Sequence, residues 1–278
     1  MPTQIELIGN HPSASSIFGK WLASNDVTVT ETKNHRSLTP LIPTTDPVLI
    51  EWLGRKLFDH HHSEYRIEKL KENYRKLGYN HYADQHRSLP RADKTRKGNA
   101  AEIILTEYIE GCFSRNLIKV FKLKYNPNVD QAIKGDDTLM VDIIKDLPKD
   151  RVRIYLGEAK FRKTPSKNVV RSIAKSLSKL KRPLSYTFLI NELGRDESTR
   201  ELADILDQFV IDEIKSRGDL VYTGFLLSNT DTFSMVESSL NSDNPHLVLV
   251  SIGIENPEEL ITKGFENAEI LFSNPSLL

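Results

Sequence analysis

The chain has 278 residues, of which 38% are hydrophobic and 27% are charged, with 38 basic and 38 acidic side chains. These values are typical of a folded protein that buries a core in one large or two modest domains, and they exclude a disordered chain. The zero net charge gives no general argument for nucleic-acid binding.

The sequence also bears on the compartment of the protein. It has no uninterrupted apolar run of the roughly 18 residues that a membrane helix needs, and residues 1–10 do not resemble a signal peptide. We therefore expect no membrane contact. The single cysteine, Cys112, cannot form an internal disulfide or build a zinc site alone, which favours the reducing cytoplasm. Because it follows an apolar helical stretch, a small buried side chain is expected rather than a nucleophile.

Residues 1–92 are predicted to form a mainly helical region. After a weakly patterned start, apolar residues recur at helical spacing within 49–58 and 67–77, and Gly78 is a typical residue for a helix end. These apolar stripes carry no evident catalytic residue. We therefore expect residues 47–78 to bind a protein partner.

A domain boundary is predicted where the chain becomes polar and mostly basic, between residues 80 and 97, because Pro90 would break a helix there. The second predicted domain spans residues 93–278. It begins with an amphipathic helix over 99–113, on which Glu102 lies about one turn from the start.

The apolar period then changes from 3.6 to 2, which indicates strands. Three consecutive strands over 120–125, 138–144 and 152–156 predict an antiparallel meander. A helix, a strand, an acidic helix and two further strands are predicted after the meander. Their ranges are 168–180, 186–190, 199–215, 220–227 and 246–254. This order of elements predicts an α/β fold.

Acidic residues and a lysine fall at the ends of these strands. Gly135-Asp136-Asp137 opens the second strand, and Gly157-Glu158-Ala159-Lys160 ends the third. Because side chains alternate along a strand, Glu158 and Lys160 share one face and Ala159 takes the other. A phosphodiester cleavage centre needs carboxylates that hold one or two divalent cations, and a positive group that orients water. The motifs supply both.

Magnesium is the cation that this pattern predicts, with manganese as an alternative. It often binds one or two carboxylates besides water and phosphate, which Asp137, Glu158 and a carbonyl near Ala159 can offer. Lys160 would orient or deprotonate the attacking water, with its pKa lowered if it is partly desolvated beside the metal. Glu102 is a candidate additional ligand, through water.

The identity of the first carboxylate stays open between three residues. The Gly-x-Asp spacing favours Asp137, Asp136 precedes it directly, and Asp142 lies further along the same strand. The three consecutive histidines His60 to His62 cannot all face one ion from a helix, and no ligand partner stands at suitable spacing. We expect these histidines at the surface or at a helix end.

The order of these elements resembles the PD-(D/E)XK nuclease core, whose αβββαβ arrangement, a mixed sheet flanked by helices, would run here from about residue 99 to 190. More narrowly, Lys134–Asp137 followed by Tyr155–Arg162 is similar to the HamA family, the nuclease subunits of the Hachiman antiphage defence system. Lys134 and Gly135 stand where the proline of the superfamily name would be.

The resemblance carries implications for the site and the function. It places the family aspartate at Asp137 and the Glu-x-Lys pair at Glu158 and Lys160. It implies a metal-dependent DNA endonuclease whose activity is restrained by a partner helicase. This helicase would be a HamB-like subunit of the same defence system.

Basic residues concentrate around and after the Glu-x-Lys motif. Between residues 149 and 182 there are twelve Lys and Arg but two Asp and Glu. On the predicted helix, Arg171, Lys175 and Lys179 recur at intervals of four and form one stripe. Predicted contacts to a DNA phosphate backbone are Arg162, Lys163, Arg171, Lys175 and Lys179. A solvated helix face is the simpler alternative for the stripe.

Two other functions stay open from the residues alone. A non-catalytic adaptor with a degenerate nuclease fold would bind DNA or a helicase through the same basic helix. A restriction or repair nuclease would use the same site residues without a defence partner.

Overall fold

A computed structural model describes the chain except residues 63, 82–88, 114, 120–121, 126–128, 131–135, 145–150, 179–185, 196, 198, 213–219 and 275–278. The strands among the described residues form one seven-stranded mixed sheet flanked by helices, which confirms the predicted α/β class. Within the same residues, no helix has both the length and the apolar character needed to span a membrane.

The helices and strands are numbered in chain order. The helices are α1 (Gln4–Ile8), α2 (Ile17–Trp21), α3 (Pro47–His61), α4 (Glu64–Lys76), α5 (Asp93–Gly111), α6 (Lys167–Ser176), α7 (Tyr186–Leu193), α8 (Arg200–Asp212), α9 (Thr232–Ser239) and α10 (Pro257–Ser273). The strands are β1 (Leu22–Asp26), β2 (His35–Pro40), β3 (Ile118–Lys119), β4 (Thr138–Ile144), β5 (Arg151–Phe161), β6 (Leu220–Ser228) and β7 (Leu247–Gly253).

The strand order in the sheet is β1-β2-β7-β6-β5-β4-β3. Strands β3, β4 and β5 are antiparallel neighbours, which confirms the predicted meander. The first strand of the meander lies before its predicted range, at Ile118–Lys119. The strand predicted over 120–125 is wrong for Lys122–Tyr125, which form a 3₁₀ helix, and residues 120–121 lie outside the described part of the chain. Strands β6, β7 and β2 then run parallel to β5.

The strand predicted over residues 186–190 is wrong. These residues belong to helix α7, in which Tyr186 and Leu189 are buried three residues apart and the Tyr186 hydroxyl donates to the Leu206 carbonyl at 2.9 Å. A short apolar run fits a buried strand and a buried helix equally well, so its length and composition could not decide between them. The strand that follows the basic helix is therefore β6, after α7 and α8.

Residues 1–92 contain helices α1 to α4, but the region also contributes two strands that the sequence did not predict, because β1 and β2 join the sheet beside β7. Strand β2 buries polar side chains, so it shows no apolar alternation in the sequence. Arg36 is satisfied by Asp26, with Nη2 to Oδ2 at 2.7 Å, and His35 by Glu237 and Ser251 at 2.6 and 2.8 Å. The boundary at residue 92 stays a prediction, and the sheet runs across it.

The apolar stripe of α3 is buried inside the chain against α10. Leu53 lies in the core, and a side chain at Gly264 would overlap it, while one at Gly54 would overlap Asn267. The two glycines therefore permit close contact between the helices. This burial removes the argument that α3 offers its stripe to a partner. Next to helix α4, Leu77 is exposed, so the predicted partner site stays a prediction for that helix.

Among the described residues, the buried apolar side chains form two clusters that the sheet separates. One lies between the sheet and helices α3, α5 and α10. The other lies on the opposite face beneath helices α6, α7, α8 and α9. Successive side chains of β5 enter the two clusters alternately, as its period of 2 requires.

A network of charged side chains is buried between α3, α5 and β3. The Glu107 carboxylate accepts from His60 Nε2 at 2.8 Å, Lys56 Nζ at 2.8 Å and Lys119 Nζ at 3.0 Å. Burial alone would raise the pKa of Glu107, but the hydrogen bonds and charges of His60, Lys119 and Lys56 hold it well below its usual range. The charged carboxylate is therefore the stable form in the fold.

We expect Glu107→Gln to lower the free energy of unfolding by about 3 kcal/mol at pH 7, because it leaves the partly buried ammonium groups of Lys56 and Lys119 without their anion. A carboxyl with a lowered folded pKa contributes stability above its unfolded pKa and loses it as the pH falls. The destabilisation should therefore be constant above about pH 4.5 and shrink as the pH falls below that value in urea denaturation. The control Glu51→Gln removes an exposed pair with Arg55 and should cost less than about 0.5 kcal/mol. Equal effects of the two substitutions would contradict this account.

Candidate active site

The register of β4 and β5 brings the predicted motifs together. Thr138 pairs with Gly157, and the preceding Asp137 donates its amide to the Gly157 carbonyl at 3.2 Å. In return, the Ala159 amide donates to Asp137 Oδ2 at 2.9 Å. A side chain at position 157 would overlap Thr138 and crowd Leu105 of α5, so glycine is required by this close approach. The Asp137 carboxylate is thereby fixed beside the Glu-x-Lys motif.

Glu158 and Lys160 share one face of β5, as predicted. Leu156 precedes them on that face and packs beneath α6, whereas Ala159 enters the cluster on the α5 side. The Lys160 ammonium forms an ion pair with Glu158 Oε1 and lies 3.9 Å from Asp137 Oδ2. The structure therefore brings Asp137, Glu158 and Lys160 into one partly exposed cluster.

Glu102 reaches this cluster through a lysine that sequence reasoning missed. Lys122 Nζ lies 3.1 Å from Glu102 Oε2, 3.7 Å from Asp137 Oδ1 and 2.9 Å from the carbonyl oxygen of Asp136. Lys122 stands among alternating lysines that read as an exposed strand. No local signal could identify it, because its role depends on the 3₁₀ helix that directs it inward.

The acids and lysines of the cluster shift two pKa values. Burial raises the pKa of Glu102 to about 8, with the Asp137 charge adding to the rise and Lys122 opposing it. Burial by itself would lower the pKa of Lys160, but its hydrogen bond to Glu158 and the charges of Asp137, Glu158 and Glu102 raise it overall. The predicted lowering of the Lys160 pKa refers to the site with a bound metal ion, and it stays a prediction. The protonated ammonium is a donor that can orient water rather than deprotonate it.

The two alternative aspartates lie elsewhere. Asp136 is buried, and its carbonyl oxygen accepts from Lys122. Asp142 lies four residues beyond Thr138 and forms two hydrogen bonds with Arg115, at 2.8 and 2.5 Å. The geometry favours Asp137 as the carboxylate beside Glu158 and Lys160.

The donor atoms of the cluster fit magnesium, which prefers hard oxygen ligands and often takes one or two carboxylates with water and phosphate. Asp137 and Glu158 could hold such an ion. In the part of the chain that the structure describes, no three Asp, Glu, His or Cys side chains converge as a ready-made metal cage. Glu102 is directed at Lys122, so its predicted role as an extra ligand has no direct geometric support.

The predicted DNA contacts differ in their surroundings. Arg171 and Lys175 are exposed on α6, opposite its buried side chains. Arg162 is exposed and donates to the Phe161 carbonyl at 2.8 Å. Lys163 is 76% exposed and pairs with Glu258 at 3.1 Å. Lys179 lies outside the described residues.

Cys112 and the histidines at the end of α3 lie in the interior of the fold and outside the candidate site. Cys112 is buried, and burial raises the pKa of its thiol to about 12, so it stays protonated as a small buried side chain, as expected. His60 and His61 lie at the end of α3 but are buried, not at the surface. His61 Nδ1 contacts the Leu57 carbonyl oxygen at 2.7 Å, and its Nε2 contacts Asn99 at 2.9 Å.

Comparison with known proteins agrees with the motifs. The model of the HamA family matches residues 15–268. The chain belongs to the HamA family. A relative from Bacillus cereus, the Hachiman protein HamA, is 34% identical over 276 residues, which cover 97% of this chain and 96% of the relative. The HamA match includes every strand of the sheet and every residue of the candidate site. Strands β1 and β2 are thus part of the family unit.

We expect the stability difference between Glu102→Gln and the unchanged protein to depend on pH. A carboxyl whose folded pKa is raised from 4.5 to about 8 keeps its proton in the fold but loses it on unfolding, so stability falls as the pH rises through that window. Glutamine has no carboxyl group that titrates, so the variant does not lose stability in this way as the pH rises. The variant should therefore gain relative stability from pH 5 to 8, by up to about 1.4 kcal/mol per pH unit.

Urea denaturation of both proteins at four pH values in this range, with EDTA present, measures the difference. Glu51→Gln serves as the control, and its difference from the unchanged protein should not vary over the same range. A constant or falling difference for Glu102→Gln would show that its carboxyl titrates normally.

Proposed function

We propose that this chain is a metal-dependent DNA endonuclease that acts as the effector of a Hachiman-type antiphage defence system and is restrained by a partner helicase. The observation that carries the proposal is the cluster of Asp137, Glu158 and Lys160 held at the junction of β4 and β5. The membership in the HamA family supports the defence role.

The topology supports a PD-(D/E)XK core. Helix α5, the antiparallel strands β3 to β5, helix α6 and the parallel strand β6 follow the αβββαβ order that the resemblance implies. Helices α7 and α8 are inserted before the last strand. In this arrangement the aspartate lies at the start of one strand and the Glu-x-Lys pair lies near the end of its antiparallel neighbour. Both motifs are therefore at the same end of the two strands.

Each residue of the cluster has a distinct proposed role. Asp137 and Glu158 would hold Mg²⁺ or Mn²⁺, which when bound polarises the scissile phosphate and lowers the pKa of a water ligand. Lys160 keeps its proton on Nζ, donates hydrogen bonds to the attacking water and offsets negative charge that develops on the phosphate. The Ala159 amide holds Asp137 in position.

The basic side chains of α6 are suited to guide DNA to this cluster. Val170 and Ile173 of α6 pack with Leu156 on the sheet face that also carries Glu158 and Lys160. Arg171 and Lys175 are exposed on the opposite side of the same helix. Their side chains would contact phosphates and set the position of the strand without reading its sequence.

We expect Glu158→Gln and Lys160→Met each to reduce plasmid cleavage in Mg²⁺ by at least about 100-fold, because each removes a group that acts on the metal or on the developing charge. Nicking is measured on gels with the full chain, alone and together with its partner helicase and DNA. The control variants Glu51→Gln and Lys20→Met change exposed residues and should cleave as the unchanged protein does.

Full cleavage by both site variants would contradict the assignment. DNA binding without cleavage, under Mg²⁺ and Mn²⁺ and with the helicase present, would favour the adaptor function instead.

We expect the double variant Arg171→Gln, Lys175→Gln to bind duplex DNA more weakly and with less dependence on salt. Each phosphate contact that is lost should reduce the slope of log Kd against log salt by about 0.9, so the slope should fall by about 2. Fluorescence anisotropy in EDTA at several salt concentrations measures binding without cleavage. Lys20→Gln, Arg55→Gln is the matched control, and an unchanged slope in the first variant would identify α6 as an ordinary solvated helix face.

A further inference from the structure

Lys122 is a buried cation inside the acidic cluster, and it has no role in the reaction proposed above. Only 8% of the residue is exposed, and its ammonium lies between Glu102, Asp137 and the Asp136 carbonyl. Lysine is almost never buried unless it is paired with acids. Its position therefore requires an explanation within the site.

The surroundings of Lys122 indicate a fixed group rather than a loosely placed side chain. It begins the 3₁₀ helix, whose next residue, Leu123, is buried in the core. Its ammonium donates to the Asp136 carbonyl oxygen at 2.9 Å, a neutral acceptor that belongs to the backbone leading into β4. Removing Lys122 from this position would break that bond and both ion pairs together.

The charges of the cluster limit how many metal ions it can accept. Asp137 and Glu158 carry two negative charges, Lys122 and Lys160 carry two positive charges, and Glu102 adds a third negative charge only when it is ionised. One divalent cation changes the sum of the first four groups from 0 to +2, whereas two would raise it to +4 within a partly desolvated site, and an ionised Glu102 lowers each sum by one. The oxygens of Glu102 and Asp137 that a second ion would need are those that Lys122 already contacts.

We propose that Lys122 is the built-in second cation of the site, so that the chain binds a single divalent metal ion through Asp137 and Glu158. Glu102 is then a positioning residue that acts through Lys122, not a metal ligand. This inference rests on the proposed function, since it specifies the number of ions and the division of labour at the same cluster.

The number of bound ions tests the inference without any cleavage assay. Mn²⁺ is titrated into the full chain in the absence of DNA, and free Mn²⁺ is followed by its electron paramagnetic resonance signal. We expect one site in the unchanged protein and one in Lys122→Arg, which keeps the charge. Lys122→Ala frees the oxygens of Glu102 and Asp137, so it should bind two ions. The double variant Lys122→Ala, Glu102→Gln should return to one.

Each outcome decides between the inference and the function on which it rests. Two ions in the unchanged protein, or one in a folded Lys122→Ala, would overturn the role of Lys122 and leave the nuclease proposal intact. Mn²⁺ binding that is absent, or that persists in Asp137→Asn, would instead overturn the proposed metal site, and the inference with it. If circular dichroism shows that Lys122→Ala does not fold, Lys122→Met replaces it, and the count in the unchanged protein still decides.

Discussion

The hydrogen bond from the Ala159 amide to the Asp137 carboxylate is the contact on which the candidate site depends. It joins the start of β4 to the end of β5 and directs a carboxylate towards the Lys160 ammonium. Gly157 makes this approach possible, because any side chain there would meet Thr138. The chemistry proposed for this chain therefore depends on a hydrogen bond from the backbone of β5 to the side chain of the residue before β4, which sets the positions of the charged groups.

The site lies at the ends of β4 and β5, where the surroundings differ between the two sides of the sheet. On the α5 side, Glu102 and Lys122 extend the cluster into a largely buried environment, where burial raises the pKa of Glu102. Glu158 and Lys160 are partly exposed near the end of β5, on the sheet face on which Leu156 packs against α6. The cluster thus combines a buried acid with an accessible ion pair, which suits the metal binding and the DNA substrate proposed above.

The N-terminal region belongs to the same architecture. Strands β1 and β2 lengthen the sheet beyond β7, and helix α3 closes the α5 face by packing on α10. The buried charges of this region are paired, Arg36 with Asp26 and Glu107 with two lysines and a histidine, so they stabilise the fold rather than supply a second site. If a helicase partner binds this region, it must use surfaces other than the apolar stripe of α3.

Local patterns in the sequence were sufficient to predict the α/β class, the antiparallel pairing of β4 with β5, and the positions of Asp137, Glu158 and Lys160 at strand ends. These features are local, because the alternation of apolar residues and the short motifs each extend over only a few consecutive residues. Three features became evident only from the fold: residues 186–190 are helical, β2 is a strand despite its polar side chains, and Lys122 lies among the acids. Each of these depends on partners distant in the chain, such as Leu206 for Tyr186 and Glu102 for Lys122, and no local pattern encodes such contacts.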